Sequence, residues 1–313
     1  MKALVVTAAG QLPALADFPE PVAGPGEVLV RVAATALCPL ARVRASGQHY
    51  SAGGTYPLVA GVDGTGTLDD GRPVYFMLPR APFGSMAEIA PVAEAQVVPL
   101  PGGLDPVTAA AIANPGMSSW AALTERARFR PGESVLINGA TGASGRLAVQ
   151  IARHMGASRI VATGRNRAVL DTLGADETIA LEADRAGLQA RFMPVFARGI
   201  DIVLDYLWGP SAEALMLAGA KAGPASVPIR FVQIGTASSL SIDLPGAILR
   251  SSALEIMGSG IGSVAMPRLI AATGAMLRAA APAGLSLPHR TVPLAEGGAA
   301  WGWRETERLV FTP

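Results

Sequence analysis

The run Ser134–Gly145, SVLINGATGASG, constrains this chain more than any other feature. Ser134–Asn138 reads as a buried strand, and the stretch Ala143–Met155 reads as a helix. Between them Gly139, Gly142 and Gly145 recur at every third residue. Glycine at such spacing permits a tight turn, lets backbone approach a ligand, and lets helix and strand pack closely. The N–H groups that open the helix suit an anion. A plain glycine-rich turn would show the same spacing. Its surroundings favour more: a strand before, a helix after, and a second strand, Arg159–Thr163, about 20 residues on, as in a dinucleotide site. Gly139, Ala140, Thr141, Gly142, Ala143, Ser144 and Gly145 are therefore the candidate pyrophosphate loop.

The end of the second strand bears on which dinucleotide. An acid there accepts hydrogen bonds from the ribose 2′-OH of NAD. Here the sequence is Thr163-Gly164-Arg165-Asn166-Arg167, with no acid. Gly164 is expected to leave room, and Arg165 offers a planar fork for a 2′-phosphate, with Asn166 beside it. Arg165 could instead be a solvated residue at a helix start, although arginine there opposes the helix dipole. These residues favour NADPH over NADH.

From Ser134 onward strands and helices alternate. Strands are expected at Arg159–Thr163, Glu177–Ala180, Asp201–Asp205, Arg230–Gly235 and Leu254–Gly258, with helices at Arg167–Leu173, Asp184–Phe192, Pro210–Lys221 and Met266–Ala280. Short apolar strands alternating with helices make a doubly wound parallel sheet. The first hundred residues read differently, as short strands cut by Gly and Pro: Lys2–Thr7, Glu27–Ala33, Arg72–Met77, Gly84–Ile89 and Gln96–Leu100. Asp105-Pro106 starts a helix, Asn114-Pro115-Gly116 is expected to interrupt it, and Ser118–Ala127 to resume it. Arg290–Pro293 and Arg308–Phe311 are again short strands, expected to return to the β-rich part.

Composition excludes several classes. With 25 Lys+Arg against 24 Asp+Glu and no dense basic block, a nucleic-acid footprint is not expected. Lys2 and Lys221 are the two lysines, which disfavours Schiff-base chemistry. Cys38 is the single cysteine, so no internal disulfide and no zinc site built on several cysteines can form. The N-terminal apolar run is too short for a signal peptide, and no clean apolar span reaches membrane length. The expectation is a cytoplasmic protein with a small-molecule substrate.

The segment 131–175, together with Val149-Gln150-Ile151-Ala152, Gly156-Ala157, Leu173-Gly174-Ala175-Asp176, Ser118–Leu123, Val232–Gly235 and Gly258-Ser259, resembles the medium-chain dehydrogenase/reductase superfamily. The nearest-looking branch is the zinc-free quinone oxidoreductases and enone reductases. The resemblance implies a Rossmann domain over 112–265 and a GroES-like β-rich domain over 1–111 that is completed by 266–313. It implies contacts from Gly235-Thr236 and Gly258-Ser259 to the cofactor, although ordinary turn glycines would read alike. It places Tyr50 where related reductases put a tyrosine facing the nicotinamide, as proton donor or as pocket wall. Zinc members carry ligands near positions 38, 61 and 114; here the residues are Cys38, Gly61-Val62-Asp63 and Asn114, so no metal is expected. Tyr206-Leu207-Trp208 follows a strand and could wall the nicotinamide pocket. Members often pair through the edge strand of the Rossmann sheet, which makes Leu254–Gly258 the candidate homodimer strand. Cys38 is expected to be a packed residue.

The implied activity is NADPH-dependent hydride transfer to a quinone or an α,β-unsaturated carbonyl. A short-chain dehydrogenase would need Lys four residues after its tyrosine. The residues four after Tyr50, Tyr56, Tyr75 and Tyr206 are Gly54, Ala60, Pro79 and Pro210, so that reading fails. An NADPH-binding sensor or structural protein of the same fold, without turnover, stays open.

Overall fold

A computed structural model describes residues 1–47, 56–182, 184–303 and 307–313. The chain forms two compact units. One holds Met1–Asn114, Thr273–Pro282 and Ser286–Pro313; the other holds Pro115–Ala272 and Ala283–Leu285.

The first unit opens with β1 (Lys2–Val6), β2 (Ala14–Asp17), β3 (Glu27–Ala36), helix α1 (Pro39–Ala45), β4 (Leu58–Val59), β5 (Asp63–Thr67), β6 (Pro73–Met77), β7 (Ile89–Ala93) and β8 (Val97–Pro99). The alternation in β3 is that of a half-buried strand: Val30, Val32 and Ala34 are buried while Arg31 and Ala33 are exposed. The strand expected at 84–89 lies later, at Ile89–Ala93. Ala87 makes a single bridge to Ala3, and a Cβ on Gly84 would overlap the Val59 and Ala60 carbonyls, so this stretch packs as a bend.

Helix α2 (Pro106–Ala121) starts under an Asp105 cap, whose Oδ2 accepts from Thr108 N at 2.8 Å. It runs straight through Pro115, against the expected interruption. A proline inside a helix forfeits one hydrogen bond and crowds the preceding turn. Here Ala109–Ala113 are all fully buried, and that burial outweighs the loss. The Ser118 hydroxyl donates to the Pro115 carbonyl at 2.8 Å. The helix continues as a π-turn over Ala122–Arg126.

The second unit contains β9 (Ser134–Asn138), α3 (Ala143–His154), β10 (Arg159–Gly164), α4 (Arg167–Leu170), β11 (Glu177–Ala180), α5 (Arg185–Ala197), β12 (Ile202–Asp205), α6 (Pro210–Ala222), β13 (Ile229–Gln233), α7 (Gly246–Arg250), β14 (Leu254–Gly258) and α8 (Met266–Ala279). Its six strands are all parallel, in the order β11-β10-β9-β12-β13-β14. The central strands β9 and β12 are wholly buried, and Phe192, Phe196, Leu215 and Phe231 fill the layer between the sheet, α5 and α6. Because β9 and β12 are neighbours, the winding reverses between them. A doubly wound sheet binds ligands at the carboxyl ends of strands flanking such a reversal. The glycine loop leaves β9 at that point.

The tail gives β15 (His289–Pro293) and β16 (Arg308–Thr312), which pair in parallel; β16 also pairs with β3. The C-terminal strands thus complete the sheet of the first unit. Among the described residues no helix is long and apolar enough to cross a membrane.

Candidate functional site

The glycine loop shows why each glycine is there. Gly139 has φ +92°, and a Cβ there would sit 2.9 Å from the Leu207 side chain. A Cβ on Gly145 would overlap the Gly139 carbonyl oxygen and lie 2.5 Å from the Ala140 Cα. Both are glycine because the protein's own packing requires it. Gly142 differs: φ is −78°, the nearest atom to an added Cβ is 3.7 Å away, and the residue is exposed. No described residue fills that space.

Gly142 is also the N-cap of α3 and has no side chain with which to cap it. The first-turn N–H groups of a twelve-residue helix are thus free for an anion, and no acidic residue stands in that turn. Ala140 is buried; Thr141, Ala143 and Ser144 are half-buried, with the Thr141 carbonyl accepting from Arg146 Nε at 3.0 Å. The loop's geometry fits a pyrophosphate.

At the end of β10, Arg165 is exposed and makes no hydrogen bond or ion pair with any described residue. Asn166 caps α4 instead, its Oδ1 accepting from Val169 N at 3.2 Å. Gly164 does not leave room for a ligand, contrary to expectation. Its missing Cβ is replaced by Thr141, whose Cγ2 would lie 2.5 Å from it. Gly235 is likewise a packing glycine, 2.6 Å in Cβ terms from the Tyr206 carbonyl, and Thr236 beyond it is exposed. Gly258 is exposed with open space around it, and Ser259 N donates to the Gln233 carbonyl at 2.8 Å. Tyr50, and His49 with it, lie outside the described residues.

Beneath the loop lies a buried polar row that the sequence reading missed. Thr163, Asn138 and Asp205 are register partners at the ends of β10, β9 and β12. Thr163 Oγ1 donates to Asn138 Oδ1 at 2.7 Å, and Asn138 Nδ2 donates to Asp205 Oδ1 at 2.7 Å and Ser211 Oγ at 2.9 Å. Burial pushes the Asp205 carboxyl up to about 6, against the pull of Asn138 and the Leu207 and Trp208 N–H groups. The available signal was a hydrogen-bonding residue closing each of three adjacent apolar strands. Tyr206 is buried rather than an open wall, with its hydroxyl 2.8 Å from Ser119 Oγ.

In the first unit, Cys38 Sγ caps α1 by accepting from Ala41 N at 3.3 Å. Burial, reinforced by the nearby Asp63, pushes this thiol up to about 11, so it stays protonated at neutral pH. Asp63 is fully buried and is raised to about 6 by burial; its Oδ2 accepts from the Tyr75 hydroxyl at 3.0 Å and its Oδ1 from Asn114 Nδ2 at 3.4 Å. Among the described residues no group of three His, Cys, Asp or Glu side chains is placed to hold a metal.

The fold and loop together define a pyridine-dinucleotide-type oxidoreductase scaffold with a separate β-rich unit. Along its whole length the chain is similar to quinone oxidoreductases. It is 28% identical over 362 aligned positions, covering 99% of both chains, to an Emericella nidulans protein named "probable NADPH-dependent quinone reductase". It superposes on the quinone oxidoreductase of Thermus thermophilus, which was solved also in complex with NADPH, with a TM-score of 0.81, 29% identity and full coverage of both chains. It is 32% identical over 233 residues to the phthioceranic/hydroxyphthioceranic acid synthase of Mycobacterium tuberculosis; that match takes in 71% of this chain but 10% of the synthase. No protein-family model matches the chain.

Proposed function

We propose that this protein is an NADPH-dependent oxidoreductase that reduces a quinone or an α,β-unsaturated carbonyl without a metal. The observation that carries the reading is the uncapped N-terminus of α3 at Gly142, beside an exposed arginine, Arg165, with no partner among the described residues. The first would receive the pyrophosphate, through the N–H groups of Ala143 and Ser144; the second would pair with the 2′-phosphate. Gly235-Thr236 and Gly258-Ser259, at the carboxyl ends of β13 and β14, would line the ribose and nicotinamide side. NADPH when bound would supply the hydride. Tyr50 or a water would supply the proton to the reduced acceptor. Support also comes from the whole-length likeness to quinone reductases.

The β-rich domain of 1–111 with 266–313 would carry the acceptor, and the Rossmann domain of 112–265 the cofactor. The protein would work in the cytoplasm as a homodimer joined through β14. That strand is the sheet's edge among the described strands, and it leaves Ile256 38% exposed, with Ile261 at 44% nearby. An apolar open edge is an aggregation hazard that a two-fold partner removes.

The test is NADPH oxidation, followed by its absorbance, across a panel of quinones and enones. Turnover with members of that panel supports the reading. Tight NADPH binding with no oxidation by any acceptor would instead indicate a sensor.

A further inference from the structure

Trp208 sits at φ +59°, in the left-handed region that a bulky residue adopts only when its surroundings impose it. Asp205 grips the backbone there. Both of its carboxylate oxygens accept from Trp208 N, Oδ1 at 3.2 Å and Oδ2 at 3.1 Å, and Oδ1 also accepts from Leu207 N at 3.1 Å. Asp205 is fully buried and makes no contact with solvent.

The turn it latches is the surface on which two candidate cofactor segments rest. Leu207 occupies the space where Gly139 would carry a Cβ, and the Tyr206 carbonyl does the same at Gly235. The Tyr206 hydroxyl reaches Ser119 Oγ, which in turn donates to the Ser144 carbonyl in the first turn of α3 at 3.0 Å. On its other side Asp205 is tied through Asn138 to Thr163, whose carbonyl accepts from Gly139 N and Ala140 N at 3.2 and 2.8 Å. The first loop glycine is thus gripped from both sides by groups that converge on one carboxylate.

We propose that Asp205 is a positioning residue: it holds the Tyr206–Trp208 turn in its strained form, and that turn sets the shape of the glycine loop and hence the cofactor affinity. The proposal rests on the NADPH reading above. Asp205 does not reach the 2′-phosphate side, where Arg165 stands, so its effect falls equally on NADPH and NADH.

The test is a titration of NADPH and NADH into the full-length protein, alongside thermal melts and the quinone KM. Asp205→Asn puts an amide N–H against either Asn138 Nδ2 or the turn's own N–H groups. NADPH and NADH should both bind roughly tenfold more weakly, the loss of about one hydrogen bond to a charged group. Their ratio and the quinone KM should stay at wild-type values. The double exchange Asn138→Asp with Asp205→Asn gives the donors of the row and Trp208 N an acceptor again and leaves Leu207 N as the one unpaired donor of the turn. The carboxylate then stands on β9, where it can accept from Thr163, from Ser211 and from the amide newly placed on β12. Affinity should recover to within about threefold of wild type. Asp205→Asn with a lowered melting temperature but an unchanged Kd would overturn the proposal, as would a double exchange that recovers stability but not affinity. If Asp205→Asn does not fold, Thr163→Val removes the far end of the row while conserving shape. It should weaken NADPH about threefold, and an unchanged Kd there overturns the proposal as well. Failure of the unmodified protein to bind either cofactor would sink the NADPH reading, and this proposal with it.

Discussion

Two alanine substitutions in one loop should fail in opposite ways. At Gly145 an added Cβ lands on backbone, overlapping the Gly139 carbonyl oxygen and coming within 2.9 Å of the Ala140 carbonyl carbon. Backbone cannot swing aside as a side-chain end can, so helix α3 must lift from β9. Overpacking of this kind costs about 3 kcal/mol, which for a unit of this size lowers the melting temperature by roughly 6–12 °C. At Gly142 the nearest protein atom is 3.7 Å away, and φ of −78° is open to any residue. Alanine there gains about 0.4–1 kcal/mol through the unfolded chain and loses a similar amount as a poorer N-cap. The melting temperature should stay within about 2 °C of wild type. Yet the new methyl occupies the space where a pyrophosphate must meet the helix N–H groups. Losing one charge-assisted contact removes ~2–3 kcal/mol, roughly a 30- to 150-fold rise in the NADPH Kd. Melts and calorimetric titrations of Gly142→Ala and Gly145→Ala read both quantities. A Gly142→Ala protein that binds NADPH like wild type would refute the pyrophosphate cradle. A Gly145→Ala protein that melts like wild type would refute the packing requirement at the third glycine.

Arg165→Ala should erase most of the preference for NADPH while leaving NADH affinity nearly unchanged, a ten- to hundredfold drop in the ratio of the two Kd values for a lost charged pair; equal loss for both cofactors would show a structural role. The raised carboxyl of Asp63, about 6 against an ordinary 3.8, makes the folded state bind a proton more tightly than the unfolded one. Its contribution is therefore absent above pH 6 and grows as pH falls toward 4, reaching up to about 3 kcal/mol. Asp63→Asn should lessen the rise in that window while leaving the share of Asp205, which burial also raises to about 6, and chemical denaturation at pH 4, 5, 6 and 7, spanning about 1 unit a step, reads the slope. Ile256→Glu places a charge on the open edge strand, and light scattering should find it near the single-chain mass of 31.9 kDa while the unmodified protein scatters at about twice that; an unmodified protein at the single-chain mass ends the dimer proposal.

Much of the second unit was legible because its signal is local. Val135, Leu136 and Ile137 in β9, or Val203 and Leu204 in β12, are buried on both faces, and such strands read as unbroken apolar runs. The helices between them carry their own stops and caps, as Asp184 does for α5 by accepting from Gly187 N. Pro115 misled the reading where tertiary burial overrode local chemistry. It lies inside a helix whose neighbours are buried, so packing kept the helix that the residue alone would break. The first unit was harder because its strands are two to five residues long apart from β3, and short strands are assigned by pairing partners distant in sequence. Ile256 shows the same limit: no periodicity in Leu254–Gly258 tells which side chains meet solvent, and the structure leaves Glu255 and Ile256 exposed.

The candidate site divides along a similar line. Spacing alone marks Gly139, Gly142 and Gly145 as a set, but it cannot say what each glycine avoids. The structure sorts them by what a Cβ would meet: Leu207 at the first, backbone at the third, and empty space at the second. Gly164 and Gly235 join the first group, since Thr141 and Tyr206 occupy their Cβ positions. A glycine that the fold itself demands says little about a ligand, because it would be required in an empty protein too. A glycine whose side-chain space is open, on an uncapped helix start, has no such internal reason. The case for a bound anion therefore concentrates on Gly142 and on Arg165, which has no partner among the described residues, and the remaining glycines testify to how firmly the loop is built. That firmness originates below the loop, in Thr163, Asn138 and Asp205, three residues at equal depth on adjacent strands. Their alignment depends on sheet order, which brings β12 beside β9 across two intervening strands of sequence, and no linear pattern carries that information.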